Sequence, residues 1–432
     1  MGWLLDAGYL AAATVASPFL LARMARRGTL HTDWSARLGE GEAIPRSDRP
    51  RVLLHAVSVG EINACRTLVR RLEAHPARPE VVVAATTDTG LRRAVELYAD
   101  RHPVVQYPFD LTVAVRRLLD RVMPDVVATV ELEVWPNLTS ECRRRGIPVV
   151  VVNGRLSPRS FRGYRRARPF VAPMFRRLEA VLAQDEAYAA RFIDLGVDPA
   201  RVEVSGGMKW DAAEIADEVP GASALGEAMG IDRGRPLVVA GSTAPGEEAL
   251  LESAVPVGVQ LLCAPRRPEW AAQAAAAMPG CARRSRRERG SPRGRFLLDT
   301  IGELRQAYAL ADVVVVGRSF GRLHGSDPVE PIALGRATVI GPASADFQTT
   351  VEALRAGGGL VQCGASELAG VLARLVADPA ERAAIASRGR AVIRAHQGAS
   401  DRAAERLVAL AVEGARDRSS SSARSGARQG GS

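Results

Sequence analysis

The segment from Ser58 to Glu61 carries the residue types best suited to chemistry in this chain. It follows a short apolar run, residues 52–54, which the pattern predicts as a buried strand, and a helical segment begins near Glu61. Ser58, Gly60 and Glu61 would then lie at the carboxyl end of a strand, where open α/β sheets bind ligands. A carboxylate placed there could accept a proton from a substrate hydroxyl. It could equally be a first-turn glutamate that stabilises the helix dipole, and this segment alone leaves both interpretations open.

Lys209 is the only lysine among the 58 basic residues of the chain. An ammonium group is compact, whereas a guanidinium group is planar and wide, so a site that needs the first does not accept the second. Because the chain otherwise uses arginine throughout, this lysine is a candidate binding residue. The alternative is that this one lysine remains by chance in a sequence that otherwise uses arginine, and has no role in binding.

Two arginine-rich stretches, residues 155–168 and 281–295, together carry more than the whole net charge of +10. The remainder of the chain is therefore slightly acidic. No recognition helix, zinc finger or RNA-binding aromatic motif is present, which argues against nucleic acid as a partner. Arginine pairs well with phosphate oxygens, so the two stretches predict contact with a membrane surface of anionic lipid or with phosphorylated substrates.

The five cysteines and six histidines show no metal-binding pattern. The cysteines lack CxxC spacing, which favours a reducing compartment and argues against zinc or a disulfide framework. The histidines show no HExxH or related spacing. The sequence therefore predicts neither a bound metal nor another cofactor.

The chain begins with an apolar segment in which residues 7–22 carry no charge, followed by Arg23, Arg26 and Arg27. A spanning helix needs roughly 20 apolar residues, and this segment is shorter and is interrupted by Pro18. The arginines follow the apolar run, an order that keeps the body of the protein on the cytoplasmic side. We therefore expect a membrane-associated helix over residues 1–27.

Apolar runs alternate with helical segments along the rest of the chain, which predicts parallel βαβ units. The predicted strands are 81–85, 126–130, 148–152, 180–183, 237–240, 259–264, 313–316, 338–340 and 359–362, and the clearest predicted helices are 91–98, 114–122 and 138–145. The fold class this predicts is α/β, with two Rossmann-like doubly wound domains facing a cleft. The expected divisions are a domain over 28–211, an Ala-, Glu- and Gly-rich linker over 212–235, a second domain over 236–413, and a disordered tail over 414–432.

Five more segments place polar residues where predicted strands end. They are residues 131–137, 153–160, 206–211, 241–248 and 317–331. Several could be ordinary turns with helix caps; Asp327, for example, is a suitable N-cap with Pro328 at the first helical position. The same geometry also leaves helix N-termini able to hold phosphate.

Taken in order, these motifs resemble the 3-deoxy-D-manno-octulosonic acid (Kdo) transferase family. The resemblance rests on residues 55–61, 131–137, 153–160, 208–209, 241–243 with 246–248, 264–266, 299–304 with Tyr308, and 330–331. It implies the GT-B architecture and inverting, metal-independent transfer of Kdo from CMP-Kdo to the lipid A precursor, on the cytoplasmic face of the inner membrane. These are steps of lipopolysaccharide biosynthesis.

The resemblance also implies roles for particular residues. Glu61 matches the general base, and Glu330 matches the residue that holds the ribose hydroxyls. The residues implied in donor binding are Ser242, Thr243, Arg266, Gly302, Glu303, Ser319, Ser326, Asp327 and Glu330. Those implied in acceptor binding are Ser58, Gly60, Glu131, Glu133, Arg155, Arg159, Arg162 and Lys209.

Three departures from the family pattern fall in the predicted donor domain. Ala244 and Arg267 stand where the family usually has histidine, and residues 324–327 replace its usual Gly-Gly-His-Asn. A related lipid glycosyltransferase with a different donor is therefore one alternative. The others are a nucleotide-sugar 2-epimerase of the same fold and a non-catalytic paralogue that binds lipid.

Overall fold

The computed structural model describes Asp6 and residues 33–429. These residues form two compact units: the first extends to Ala212 and resumes at Gln397, and the second comprises Ala213–His396. Asp6 apart, the helix expected over residues 1–27 lies outside the described residues. None of the helices that are described combines the length and apolar character needed to cross a bilayer.

Each unit is built on a seven-stranded sheet in which neighbouring strands run parallel. The first sheet contains β1 (Arg51–Ala56), β2 (Glu80–Ala85), β3 (Val104–Gln106), β4 (Val126–Val130), β5 (Val149–Gly154), β6 (Ala180–Ala183) and β7 (Val202–Val204). The second contains β8 (Leu237–Thr243), β9 (Gln260–Pro265), β10 (Ala282–Arg283), β11 (Arg295–Leu297), β12 (Val313–Val316), β13 (Ala337–Ile340) and β14 (Val361–Gln362).

Helices connect the strands and cover both faces of each sheet. Those of the first unit are α1 (Trp34–Arg37), α2 (Val59–Ala64), α3 (Arg66–Ala74), α4 (Asp88–Tyr98), α5 (Thr112–Val122), α6 (Pro136–Arg144), α7 (Pro158–Arg166), α8 (Arg168–Phe175), α9 (Glu186–Leu195) and α10 (Met208–Asp211). Those of the second are α11 (Ala222–Met229), α12 (Glu247–Ala254), α13 (Ala271–Ala277), α14 (Leu304–Leu310), α15 (Val329–Ala333), α16 (Gln348–Ala356), α17 (Leu368–Ala377) and α18 (Pro379–His396). The last helix is α19 (Ala399–Gln429).

The strand order of each sheet reverses once, at its centre. The first sheet has the order β3-β2-β1-β4-β5-β6-β7, and the second has β10-β11-β9-β8-β12-β13-β14. The reversals lie between β1 and β4 and between β8 and β12, and at such a point the connecting helices leave on opposite faces, which opens a crevice at the strand ends. The predicted α/β class with two Rossmann-like domains is confirmed.

The core of the first unit explains why its central strands are apolar at almost every position. One face of the sheet packs against α3 and α4 through residues such as Leu68 and Tyr98. The other packs against α5, α6 and α8 through residues such as Leu118 and Phe175. A parallel sheet covered on both faces has no solvent side, so its strands do not alternate between apolar and polar residues.

The second unit begins earlier than the sequence predicted. The segment expected as a linker, residues 212–235, contains α11 and belongs to the second unit from Ala213 onward. Its buried residues Ala222, Leu225, Gly226 and Met229 recur at helical spacing and form one face. Small residues in this segment therefore reflect close helix packing, since Leu310 lies against Gly226.

The second unit also ends earlier, because α19 returns to the first unit. Ala403, Leu407, Val408 and Ala411 of this helix join the core beside β1 and β4, although residues up to 413 were expected in the second domain. A helical backbone continues to Gln429, where a disordered tail was expected from Gly414. Arg418 in this extension pairs with the buried carboxylate of Asp125.

Asp211 holds the start of α19 against the first unit. Its two carboxylate oxygens accept hydrogen bonds from the backbone N–H groups of Gly398 (2.7 Å) and Ser400 (2.6 Å). Gln397 adds a bond from its side chain to the Trp210 carbonyl at 3.0 Å. These bonds satisfy amide groups at the helix start that have no partner within the helix.

We expect Asp211→Ala to loosen α19. Losing an N-cap acceptor costs about 0.5–2 kcal/mol, so amides over residues 399–411 should exchange with solvent roughly tenfold faster. Hydrogen–deuterium exchange read by mass spectrometry measures this. Asp401→Ala is the control, because Asp401 pairs with a half-exposed Arg71 and such pairs contribute about 0–1 kcal/mol. Equal exchange in both variants would contradict the role of Asp211.

Candidate active site

In the first unit, the loops that follow β1 and β4 carry the candidate catalytic residues. Because neighbouring strands are parallel and His55 is in register with Thr129, both strands end at the same edge of the sheet. Ser58 lies in the loop after β1, Gly60 and Glu61 lie in the first turn of the following helix α2, and Glu131 and Glu133 lie in the loop after β4. This edge is the reversal point of the sheet, the position at which ligands bind in such folds.

Glu61 lies in the first turn of α2 and closes a capping arrangement. Its carboxylate accepts hydrogen bonds from the Val57 backbone N–H and the Ser58 hydroxyl, both at 2.8 Å. The Ser58 hydroxyl oxygen in turn accepts from the Glu61 N–H at 3.4 Å. Glu61 thus stabilises the start of α2, which is one of the two interpretations that the sequence left open. A carboxylate has about four lone-pair sites, so two accepted bonds leave capacity for another proton donor.

The backbone before Ser58 is held by the neighbouring loop after β2. Thr87 donates from its hydroxyl to the Val57 carbonyl at 2.6 Å. Gly90 in the first turn of α4 lies so close that a Cβ there would be 2.7 Å from the same carbonyl oxygen. Sequence analysis did not identify Thr87 or Gly90, because their role depends on a neighbour 30 residues away.

Glu131 and Glu133 are partly buried beside Glu61, and their charges influence one another. Burial and the charge of Glu61 raise the pKa of Glu131, while Arg155 and Lys209 oppose that shift. Burial also raises the pKa of Glu133 to about 7, and the charges of Glu61 and Glu131 add to this rise. A 2.8 Å hydrogen bond from the Trp135 indole lowers the pKa but does not cancel the rise. Three carboxyl groups therefore share one edge with two cations.

Lys209 is positioned by Asn153 at the end of β5. The Asn153 side-chain oxygen accepts from the Met208 N–H at 3.0 Å, which fixes the start of the short helix α10 that carries Lys209. Asn153 has a φ of 55° and Glu131 a φ of 59°, left-handed conformations that are uncommon in residues other than glycine. Such conformations recur at functional sites, and here they turn the chain sharply at two adjacent strand ends.

The first arginine stretch forms an exposed basic surface. Arg155 follows β5 close to Glu131, and Arg159 and Arg162 lie on α7, a helix with no buried residue. The stretch 281–295 behaves differently, because most of its arginines are paired with acidic residues. The pairs join Arg283 to Asp299, Arg284 to Glu303, Arg286 to Glu288, and Arg293 and Arg295 to Glu252. These pairs offset much of the positive charge of the second stretch.

In the second unit, the loops after β8 and β12 occupy the equivalent reversal point. Ser242 near the end of β8 has a φ of 58° and is partly exposed. A Cβ on the preceding Gly241 would lie 2.0 Å from the Tyr308 hydroxyl oxygen, so only glycine fits beside this buried tyrosine. The phenol thus lies directly beneath the turn that presents Ser242.

The side chains of two residues implied in donor binding form hydrogen bonds within the protein instead. The Thr243 side chain is fully buried and donates to Glu248 at 2.5 Å. The Ser319 hydroxyl, also fully buried, donates to the Val316 carbonyl at 2.6 Å and accepts from the Gly341 N–H at 2.8 Å. In this structure both side chains shape the backbone and do not face solvent.

Glu247 joins the two loops, and sequence analysis assigned it no role. Its buried carboxylate accepts from four backbone N–H groups over 2.7–3.0 Å. They belong to Ala244, Arg318, Ser319 and Phe320. Four charge-assisted bonds to one carboxylate hold the loop after β8 against the loop after β12.

Tyr308 lies within the electrostatic influence of three charged residues, Arg266, Asp327 and Glu330. Burial raises the pKa of the Tyr308 phenol, with the charges of Glu330 and Asp327 adding to it and Arg266 opposing it. Burial also raises the pKa of the Glu330 carboxyl, while Arg305, 3.6 Å away, opposes the shift. The helix α15 begins at Val329, one residue later than predicted; Asp327 still accepts from the Val329 N–H at 3.0 Å.

Ser326 and Glu303 complete the implied donor set. The Ser326 hydroxyl is buried without a hydrogen-bond partner among the described residues, so it retains the capacity to bind a ligand oxygen. The Glu303 carboxylate is held by Arg284 at 2.8 Å and by the Thr300 hydroxyl at 2.6 Å, and the hydrogen bond from Arg284 lowers its pKa. Gly302 has a φ of 96° and open space around its Cα. Across the described part of the chain, no group of three His, Cys, Asp or Glu residues is placed to hold a metal ion.

Comparison with known proteins identifies the family. Residues 32–212 match the family model described as 3-deoxy-D-manno-octulosonic-acid transferase (kdotransferase). The 3-deoxy-D-manno-octulosonic acid transferase of Bordetella pertussis is 33% identical over 410 residues, which cover 89% of this chain and 94% of the relative. The relative therefore aligns with both units, not with one of them.

Solved structures with little sequence similarity share the fold. MurG from Acinetobacter baumannii aligns with a TM-score of 0.53 at 15% identity, over 83% of this chain and 99% of its own. UDP-GlcNAc 2-epimerase from Neisseria meningitidis aligns with a TM-score of 0.56 at 12% identity, over 84% of this chain and 100% of its own. With the fold shared by such proteins and the near-full-length relative in Bordetella, the chain belongs to the 3-deoxy-D-manno-octulosonic acid transferase family of glycosyltransferases.

Proposed function

We propose that this protein transfers Kdo from CMP-Kdo to the lipid A precursor, lipid IVA, in lipopolysaccharide biosynthesis, with inversion at the anomeric carbon. The observation that carries the proposal is the near-full-length match to the Bordetella transferase. The cluster of Glu61, Glu131, Arg155 and Lys209 at the reversal point of the first sheet supports it, because it combines a candidate base with cations. We place the reaction at the cytoplasmic face of the inner membrane.

The chemistry needs one proton acceptor and a stabilised leaving group. The acceptor hydroxyl oxygen attacks the anomeric carbon of Kdo, the bond from that carbon to the CMP phosphate breaks, and the hydroxyl proton passes to the Glu61 carboxylate. The bonds from Val57 and Ser58 hold that carboxylate in one orientation. Lys209 and Arg155 supply the positive charge that an anionic sugar or acceptor phosphate requires.

The second unit supplies groups suited to the nucleotide. We assign Glu330 to the ribose hydroxyls, and Arg266, Ser242 and the partnerless Ser326 hydroxyl to the phosphate. Arginine and hydroxyl donors can stabilise a departing phosphate monoester by charge-assisted hydrogen bonds, so we propose a metal-independent reaction. Thr243 and Ser319 act here as positioning residues, because their side chains are buried in the loops.

The acceptor and the membrane surface would meet the basic helix α7. Its arginines Arg159 and Arg162 are exposed, and the side chain of Phe170 just beyond it is 87% exposed. Cations beside an exposed aromatic ring fit the boundary between lipid headgroups and acyl chains. We therefore assign this surface to the phosphates of the lipid acceptor and to anionic lipid.

Nucleotide preference tests the donor assignment, because Ala244, Arg267 and residues 324–327 depart from the family pattern in the unit assigned to the nucleotide. Calorimetric titration of the full chain with CMP, UDP and GDP should give the tightest binding for CMP. Tighter binding of UDP would contradict transfer of Kdo and favour a related lipid glycosyltransferase with a different donor.

We expect Glu61→Gln to lower the rate of transfer by about 10²–10⁴, because the amide keeps the shape of the side chain but does not accept a proton. CMP binding should change little. Glu186→Gln is a matched control, since Glu186 is also a first-turn glutamate of a helix that follows a strand in the same unit. If Glu61→Gln retained the turnover of that control, Glu61 would have only its capping role.

Glu330→Ala should weaken CMP binding by about 1.5–3 kcal/mol, the usual size for hydrogen bonds to a charged group. Glu352→Ala removes an exposed glutamate from α16 of the same unit and should leave the affinity unchanged. Titration calorimetry of both variants measures the difference. Equal affinities would remove Glu330 from the nucleotide site.

Glu133 should make the stability of the first unit depend on pH. Its pKa of about 7 lies above the ordinary 4.5, so between these values the folded protein holds a proton that the unfolded chain has released. The stability contribution is complete below about pH 4.5 and is lost as the pH rises toward 7. Glu133→Gln does not ionise, so its melting temperature should fall less than that of the unsubstituted protein between about pH 5 and 7.5. Parallel curves would show that Glu133 does not titrate in this range.

A further inference from the structure

A groove lined by arginines lies between α6 and α8 of the first unit. Its volume is about 530 Å³, and its lining residues are Ser140, Arg143, Arg144, Pro173, Arg176 and Arg177. Arg143, Arg144 and Arg176 are exposed, and Arg177 is partly buried. Four cationic side chains, two from the last turn of α6 and two from just past the end of α8, thus line one open surface groove.

The positive charge of this groove is not balanced by the protein. Arg144 pairs with Glu141 at 2.9 Å, but Glu141 also pairs with Arg116. Arg177 donates only to neutral oxygens, the Pro136 carbonyl and the Thr139 hydroxyl, both at 3.4 Å. Among the residues whose side chains the structure describes, no carboxylate forms an ion pair with Arg143, Arg176 or Arg177. Burial, together with the charge of Arg143, lowers the pKa of Arg177, as expected for cations held close together.

Compensation of helix dipoles explains only part of this arrangement. Arg143 and Arg144 lie in the last turn of α6, where cations interact favourably with the helix dipole. Arg176 and Arg177 lie just past the end of α8. Cations that point into solvent would interact equally well with the dipole of that helix. Instead, arginines of both helices line the same groove, where they repel one another unless an anion is present.

The groove is separate from the catalytic edge. Helix α6 starts after the end of β4 and runs back to the start of β5, and α8 leads back to the start of β6. Their carboxyl-terminal ends therefore lie toward the edge where strands begin. Glu61, Glu131 and Lys209 lie at the edge where strands end. The basic helix α7 and its Arg159 are also not part of the groove.

We propose that the groove between α6 and α8 is a binding site for a phosphate-bearing ligand, with Arg143 and Arg176 as its principal contacts. Guanidinium groups bind phosphate oxygens through two parallel hydrogen bonds, and two arginines from different helices can hold one phosphate from two sides. The phosphate could belong to a lipid headgroup or to a small soluble anion. Binding at this site requires no turnover and is independent of the transferase reaction.

Two binding assays on the full chain test the site. One measures sedimentation with vesicles of phosphatidylglycerol in phosphatidylcholine, and the other is calorimetric titration with pyrophosphate. The test variant is Arg143→Ser with Arg176→Ser. The control, Arg66→Ser with Arg92→Ser, removes two exposed arginines from α3 and α4 on the opposite face of the same sheet. Melting temperatures confirm that both variants are folded.

The test variant should bind at least one probe about tenfold or more weakly than the control, since it lacks two of the cations that attract an anionic ligand. A loss confined to vesicles identifies a lipid headgroup as the ligand, and a loss of pyrophosphate binding identifies a soluble phosphate. Arg176→Glu alone should weaken the same probe further than Arg176→Ser. Equal binding by the two double variants in both assays, or no binding of either probe by the unsubstituted protein, would overturn the proposal.

Discussion

Partial burial of three neighbouring carboxyl groups, those of Glu61, Glu131 and Glu133, is the constraint that the surrounding residues of the first unit have to meet. Three acids at one sheet edge are unfavourable when partly buried, and the raised pKa values of Glu131 and Glu133 express that cost. Lys209 and Arg155 offset it for Glu131. Asn153 caps the helix that carries Lys209, and Thr87 holds the loop that carries Glu61. These contacts position Glu61 and Lys209 at the same edge of the sheet.

The second unit uses its acids in another way. Glu247 is not presented to solvent but accepts four backbone bonds, and Glu248 accepts from Thr243. The carboxylates thereby fix the backbone of the loops after β8 and β12.

The sequence predicted the fold well because both sheets are parallel and buried, which makes each central strand a continuous apolar run. It missed the short strands β3, β7, β10 and β11, since two or three residues are too few to show a pattern of their own. It also assigned α19 to the second unit, because an amphipathic pattern identifies a buried face but not the sheet that covers it. Hydrogen-bond partners were least predictable. The bonds from Thr243 to Glu248 and from Ser319 to Val316, and the ion pairs of the arginines in 281–295, depend on how the loops fold, which a residue pattern does not show.

The central claim is that these two units together catalyse transfer of Kdo to a lipid acceptor. The most direct measurement is the mass of the lipid after the purified full chain is incubated with CMP-Kdo and tetraacylated lipid A precursor. We predict a product heavier by one or more Kdo residues, formed together with CMP. An unchanged lipid mass, with a folded protein that binds CMP, would contradict the account.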